Sequence, residues 1–261
     1  MRFALVMFIV FGAVGMKAGV VGKQIKYSAD SVTLIGYLVY DDAVKEKRPG
    51  VLVVHEWWGN NDYARKRAEM LAGLGYVAFA VDMYGNGKVV DTPADAGKIS
   101  GESMKNRKSL KARFIAAFDL LKKNDAVDPT RIGAIGYCYG GGVVLNMANA
   151  GMDLKGVVSF HAGLGAVAPA GKSKVTAGIL VCNGASDKFN PAEVIKTFRA
   201  DLDSAKANYR FIDYPDALHS FTNPASTEIG KKYNMPLAYN EKADKQSWAD
   251  MKEFFAMIFK K

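Results

Sequence analysis

The chain has 261 residues, of which 49% are hydrophobic, and a formal net charge of +9. That length suits one large α/β domain, and no low-complexity tract or fixed-period repeat points to a solenoid or a disordered chain. The basic residues lie scattered in ones and twos, as in Lys122-Lys123, Lys231-Lys232 and Lys260-Lys261, so no stripe exists to bind nucleic acid.

Residues 1–22 read as a secretory signal peptide: Arg2 precedes an apolar run from Phe3 to about Gly15, and small residues follow at Gly15, Ala18, Gly19 and Gly22. The run is too short to cross a bilayer comfortably, so stable membrane insertion after cleavage is not expected. An uncleaved anchor helix is the alternative. Cleavage at Gly22 or Ala18 would leave a mature chain of about 23–261, exported to the periplasm or secreted. In an oxidising compartment two cysteines can pair. Cys138 and Cys182 sit in such different contexts that a bridge between them is not expected.

From there the elements alternate. Two short strands are predicted at about 24–28 and 32–40, with a turn at Ala29-Asp30. "GVLVVHEWWG" is an apolar run of the kind buried on both faces of a sheet. Asn60, Asn61 and Asp62 can cap the helix "YARKRAEMLAGLG", which Gly73 and Gly75 terminate. "YVAFAVDMYG" is the next buried strand. One helical stretch is predicted over 94–124, with Leu110, Phe114, Phe118 and Leu121 on its apolar stripe. Then follow strand 131–136, helix 140–150, strands 156–160 and 178–183, helix 191–206 and strand 209–213. A last helix at roughly 241–259 buries Trp248, Met251, Phe255 and Ile258. Apolar strands alternating with helices predict a single α/β domain, its mostly parallel sheet of about eight strands covered on both faces. Working residues in such sheets gather at the carboxyl ends of the strands.

At one of those ends "GYCYGGG" places Cys138 between a strand and a helix. G-x-C-x-G in that setting is a nucleophile elbow with sulfur in place of a serine oxygen. The strained turn needs small neighbours, which Gly136, Gly140, Gly141 and Gly142 supply. The helix N-terminus behind it favours a thiolate. The plainer reading is a small buried cysteine beside a glycine-rich turn. Against that reading, Asp187 follows the seventh predicted strand and His219 the eighth, the order nucleophile, acid, base. Cys138, Asp187 and His219 are therefore the predicted catalytic triad. His161 in "SFHAGLG" reads as a pocket wall or supporting residue, His55 as a structural hydrogen bonder and Cys182 as core. No histidine–carboxylate set has metal-ligand spacing, and no phosphate-binding glycine loop is present, so neither a metal nor a nucleotide is expected.

"HEWWG", "DMYG", "GYCYGGG", "GASDKF" and "HSFTNP", in that order, resemble the dienelactone hydrolase family of the α/β-hydrolase superfamily over about residues 30–258. The resemblance implies a cofactor-free cysteine hydrolase of small ester or lactone substrates. Carried onto this chain, Cys138 is the nucleophile, His219 the base and Asp187 its orienter. Glu56 matches the acid that contacts the resting thiol and gates it. The backbone N–H groups of Trp57 and Tyr139 match the oxyanion hole. The family holds its substrate's carboxylate with two arginines, and this chain departs from that pattern with Asn86 and Asn223. An amide cannot replace the charged fork, so neutral or apolar substrates are expected rather than dienelactone itself. Trp57, Trp58, Tyr84, Tyr137 and Tyr139 suggest an aromatic-lined pocket, with Asn86, His161 and Asn223 in its wall, and residues 222–246 can form a flap over it. A monomer or small homo-oligomer is expected. A peptidase or acyl transferase on the same scaffold is the runner-up, and a non-catalytic binding protein of the same fold is the rival from another class.

Overall fold

The computed structural model describes residues 19–170 and 174–260; of the expected leader at 1–22, residues 1–18 lie outside the described residues. Eight strands are present: β1 (Val20–Ala29), β2 (Val32–Asp41), β3 (Arg48–Val54), β4 (Val77–Val81), β5 (Val127–Tyr137), β6 (Gly156–Phe160), β7 (Gly178–Gly184) and β8 (Tyr209–Tyr214). They form one sheet in the order β1-β2-β4-β3-β5-β6-β7-β8. β1 and β2 run antiparallel, and β2 meets β4 antiparallel. From β4 to β8 every pairing is parallel.

The continuous apolar runs are explained by burial on both faces. Leu52 and Val54 of β3 point into one core, Val51 and Val53 into the other, following the two-residue period of a strand. On the first face lie α3 (Arg107–Lys122), α4 (Tyr139–Asn149) and α5 (Ala192–Ser204); on the second lie α1 (Asp62–Ala72) and α7 (Glu241–Ile258). The predicted stripe of α3, Leu110, Phe114, Phe118 and Leu121, is buried there, each residue contributing about 1.5–3 kcal/mol of apolar burial. In α7, Met251 and Phe255 are fully buried, with Trp248 and Ile258 packed at the edge.

One helical prediction needs correction. The stretch 94–124 is two helices, α2 (Pro93–Lys105) and α3, because Asn106 ends the first and caps the second, its side chain accepting the Ser109 N–H at 3.1 Å. α2 buries only Ala96, so it is not a core helix. The segment after His219 contains a further short helix, α6 (Ser226–Tyr233), closed by Asn234 in the left-handed conformation. At the other end, β1 starts at Val20 and pairs Val20 with Asp41, so three residues assigned to the leader are strand.

Candidate active site

The loops at the carboxyl ends of β3, β5, β7 and β8 converge on Cys138. That residue caps α4 with φ 52° and ψ −114°, the left-handed side of the map that a branched turn residue avoids. The glycines around it explain how the chain makes the turn. A Cβ on Gly136 would lie 2.1 Å from the Gly140 carbonyl oxygen, and one on Gly140 would lie 2.3 Å from that of Val54. A Cβ on Gly141 would press on Ser159 Oγ at 2.8 Å. Gly142 is different: its Cβ would meet only the tip of Met104 at 3.4 Å, so this glycine widens a cavity rather than permitting the elbow.

His219 lies between sulfur and carboxylate. Its Nε2 is 3.2 Å from Cys138 Sγ, and its Nδ1 is 2.8 Å from Asp187 Oδ2. Asp187 is held in turn by the Phe189 N–H on Oδ1 at 2.8 Å and by Asn190 Nδ2 on Oδ2 at 3.3 Å. Burial opposes a charge on His219, but the Cys138 sulfur and the Asp187 hydrogen bond outweigh it and push the imidazole up to about 10. Beneath, Arg67 braces the His219 loop by donating to the Thr222 carbonyl and to Asp244 at 2.6 Å. Both cysteines are free. Cys182 is buried in β7, where burial pushes its thiol up to about 12, as suits a core residue.

Glu56 is in the cavity wall but does not bond to the thiol. Ser220 Oγ donates to its Oε1 and Asn223 Nδ2 to its Oε2 at 2.6 Å, while Cys138 Sγ is paired with His219. Burial holds the Glu56 carboxyl above its ordinary range despite these two donors. The N–H groups of Trp57 and Tyr139 have no acceptor among the described residues, and both residues line the cavity that contains the thiol. That cavity has a volume of about 340 Å³. No arginine or lysine lines it among the described residues.

A family model described as the dienelactone hydrolase family matches residues 34–259. The chain belongs to the dienelactone hydrolase family. Its fold superposes on a dienelactone hydrolase-like promiscuous phosphotriesterase from metagenomic libraries with a TM-score of 0.86 and 31% identity, covering 93% of this chain and 100% of that one. It superposes on m3DLH with a TM-score of 0.84 and 32% identity at the same coverage. Protein usf of Aquifex pyrophilus is 34% identical over 137 residues, 51% of this chain and 58% of that protein. The chain thus spans little more than half the length of that curated relative.

In this member of the dienelactone hydrolase family, several predicted pocket residues lie elsewhere. Trp58 lines the cavity as expected; Tyr84, Asn86, Tyr137, His161 and Asn223 do not. Asn86 sits in an exposed left-handed turn at φ 55°, its N–H donating to the Thr33 carbonyl, because Asp82 collects the N–H groups of Tyr84, Gly85 and Gly87 and curls the loop away. Asn223 faces Glu56 instead of the cavity. Tyr84 backs the wall, its hydroxyl donating to the Trp57 carbonyl at 3.0 Å. His161 lies under the elbow: the Cys138 N–H donates to its Nδ1 at 3.1 Å, so Nε2 carries the proton and donates to Thr222 Oγ1 at 2.7 Å. Burial pushes His161 well below its usual range and keeps it neutral.

The wall that motifs did not mark comes from α2, α6 and the residues after it. α2 turns Gly97, Ser100, Gly101 and Met104 inward, and Ile229, Met235 and Leu237 close the opposite side. Ser226, Ile229, Met235 and Leu237 belong to the segment 222–246 expected over the pocket. Phe189, 45% exposed, stands edge-on to the His219 ring at 4.8 Å. A small residue every three or four positions in a helix with almost no buried face was the available signal for α2; for Phe189 only its position two residues after Asp187 hinted at it.

Proposed function

We propose that this chain is a cysteine-dependent hydrolase of neutral ester or lactone bonds working through an acyl-enzyme. The observation that carries this reading is the single imidazole of His219 within hydrogen-bond reach of both Cys138 Sγ and Asp187. Sγ attacks the carbonyl carbon, and the carbonyl π electrons move onto oxygen, which the Trp57 and Tyr139 N–H groups receive. The tetrahedral intermediate collapses, the C–O bond to the alcohol breaks, and His219 gives that oxygen its proton. Water then loses a proton to His219 and attacks the thioester; the acid leaves and the proton returns to the Cys138–His219 pair.

The cavity supports this choice of substrate class. Its one lining carboxylate is Glu56, and among the described residues it has no arginine or lysine, only the His219 imidazole already engaged by Cys138 and Asp187. A substrate carboxylate would enter without a guanidinium or ammonium to receive it, a loss of about 1.5–3 kcal/mol for each charged hydrogen bond not made. A neutral aryl ester is therefore expected to acylate the peptide carrying Cys138, detected by mass spectrometry after a rapid acid quench, and to have a higher kcat/KM than a carboxylate-bearing lactone. Acylation elsewhere, or the reverse preference, defeats the reading. Uncharged phosphotriesters, the substrate type named for the metagenomic relative, belong in the same panel because they too present a neutral electrophile to the thiol.

Export remains part of this proposal, supported by Arg2 and the apolar run that follows. With Val20 already paired in β1, a cut after Ala18 keeps the strand whole, whereas a cut after Gly22 removes three paired residues.

Gly101 supports the assignment of substrate room to α2. It lies in a helix interior, where glycine costs roughly 0.5–1 kcal/mol relative to alanine, and a Cβ there meets nothing within 4 Å. The fold has no steric need for that glycine, and its open side is the cavity. Gly101→Leu is expected to lower kcat/KM for bulky aryl esters by about 10- to 100-fold while leaving acetyl esters within a few-fold. A parallel loss on both, in a variant with an unchanged thermal midpoint, removes α2 from the specificity wall.

A further inference from the structure

His55 follows β3 directly and is completely buried. The Met83 N–H points at its Nε2 at 3.3 Å. An amide N–H can only donate, so Nε2 holds the lone pair and, in the neutral ring, the proton is on Nδ1. Burial lowers this imidazole to about 4, which keeps it neutral. Nδ1–H therefore donates to the Glu56 carbonyl oxygen.

That carbonyl and the Trp57 N–H are the two ends of one peptide unit. No cis peptide occurs among the described residues, so the N–H points opposite to the C=O. Fixing the carbonyl toward the buried His55 turns the Trp57 N–H the other way. We infer that His55 is a positioning residue of the oxyanion hole, clamping the Glu56–Trp57 peptide so that its N–H faces the reacting carbonyl. This inference rests on the reading of the Trp57 N–H as an oxyanion donor.

Four further contacts support it. The His55 ring is wedged between Tyr84 and Tyr139, with centroids at 4.7 and 5.6 Å. The Tyr84 hydroxyl fixes the Trp57 carbonyl, so both peptides flanking Trp57 are tied. The His55 carbonyl accepts the Gly140 N–H at 3.1 Å, next to the second proposed donor, Tyr139. One residue thus joins the two halves of the hole, its side chain on the first and its main chain on the second. A hydrogen bond to a peptide carbonyl also polarises the unit and strengthens its N–H as a donor.

The test compares acylation with alkylation. Attack of Cys138 on iodoacetamide expels iodide and builds no oxyanion; attack on an ester does. His55→Leu is expected to slow single-turnover acylation by a neutral aryl ester about 10- to 100-fold, less than outright removal of a donor, while KM and the alkylation rate stay within about two-fold. His55→Asn places an amide NH₂ near the position of Nδ1 and is expected to recover most of the acylation rate; His55→Gln places it near Nε2 and is not. Should the leucine variant fail to fold, the asparagine and glutamine pair decides. Acylation unchanged in a folded variant, no difference between Asn and Gln, or alkylation falling in step with acylation overturns the inference. Failure of the underlying hydrolase reading has a different signature: the unmodified enzyme would not hydrolyse the ester, or its hydrolysis would persist undiminished in Cys138→Ala.

Discussion

Cys138→Ala is expected to lower kcat on neutral aryl esters by about 10⁴- to 10⁶-fold and to leave the fold intact. The size follows from what is lost. On the proposed mechanism no acyl-enzyme forms without sulfur, and the remaining cavity, N–H groups and His219 can act only on a bound water. The fold is expected to persist because alanine retains the same Cβ at φ 52° and leaves the glycine contacts of the elbow untouched. Cys138→Ser is the stricter comparison. It keeps a nucleophilic atom, but a hydroxyl does not ionise against an imidazole as a thiol can, so His219 must take its proton during attack. Its activity is expected to lie between those of the alanine variant and the native enzyme. Steady-state rates on freshly purified protein, with thermal midpoints alongside, decide the matter; an alanine variant retaining native turnover would mean that the elbow is architecture only.

The elbow and the order of its partners were legible because they are written in residue types that local geometry demands. Gly136 and Gly140 cannot carry a side chain without striking backbone, and Asp187 and His219 follow strands whose apolar runs are unmistakable. The pocket was far less legible. Tyr84 and His161 look like pocket residues in sequence, since each stands at a strand end beside a motif. Whether such a side chain faces the cavity or the core depends on loop curvature, set here by Asp82 and by the left-handed residue His161 at φ 40°. The true wall draws on α2 and α6, surface helices with few apolar positions that periodicity barely distinguishes from coil. The break between α2 and α3 was hidden for a related reason. Asn106 caps a helix only if the chain before it stops, and the strong stripe from Leu110 onward masks that stop.

Asp187→Asn is expected to reduce kcat by about 10³- to 10⁴-fold, and the hydrogen-bond inventory around it gives the reason. Asp187 now accepts on both oxygens, from Phe189 N–H on one side and from His219 Nδ1 and Asn190 Nδ2 on the other. An amide has only one acceptor. If its oxygen stays toward His219, its NH₂ faces the Phe189 N–H, a buried donor–donor contact worth about 1–3 kcal/mol of destabilisation. If it flips, NH₂ faces Nδ1, the imidazole must carry its proton on Nε2, and it can no longer accept one from the thiol. Loss of the carboxylate also removes one of the interactions that raise His219. A histidine raised in the folded state contributes stability that is full below its unfolded value, near 6.5, and is lost as pH rises through about 10. Urea midpoints of the native enzyme should therefore fall across that window from this group's contribution, and the asparagine variant should have a smaller fall that ends at lower pH. A native-sized, unshifted fall in the asparagine variant would mean that His219 owes its raised value to Cys138 alone, and that the carboxylate only orients the ring.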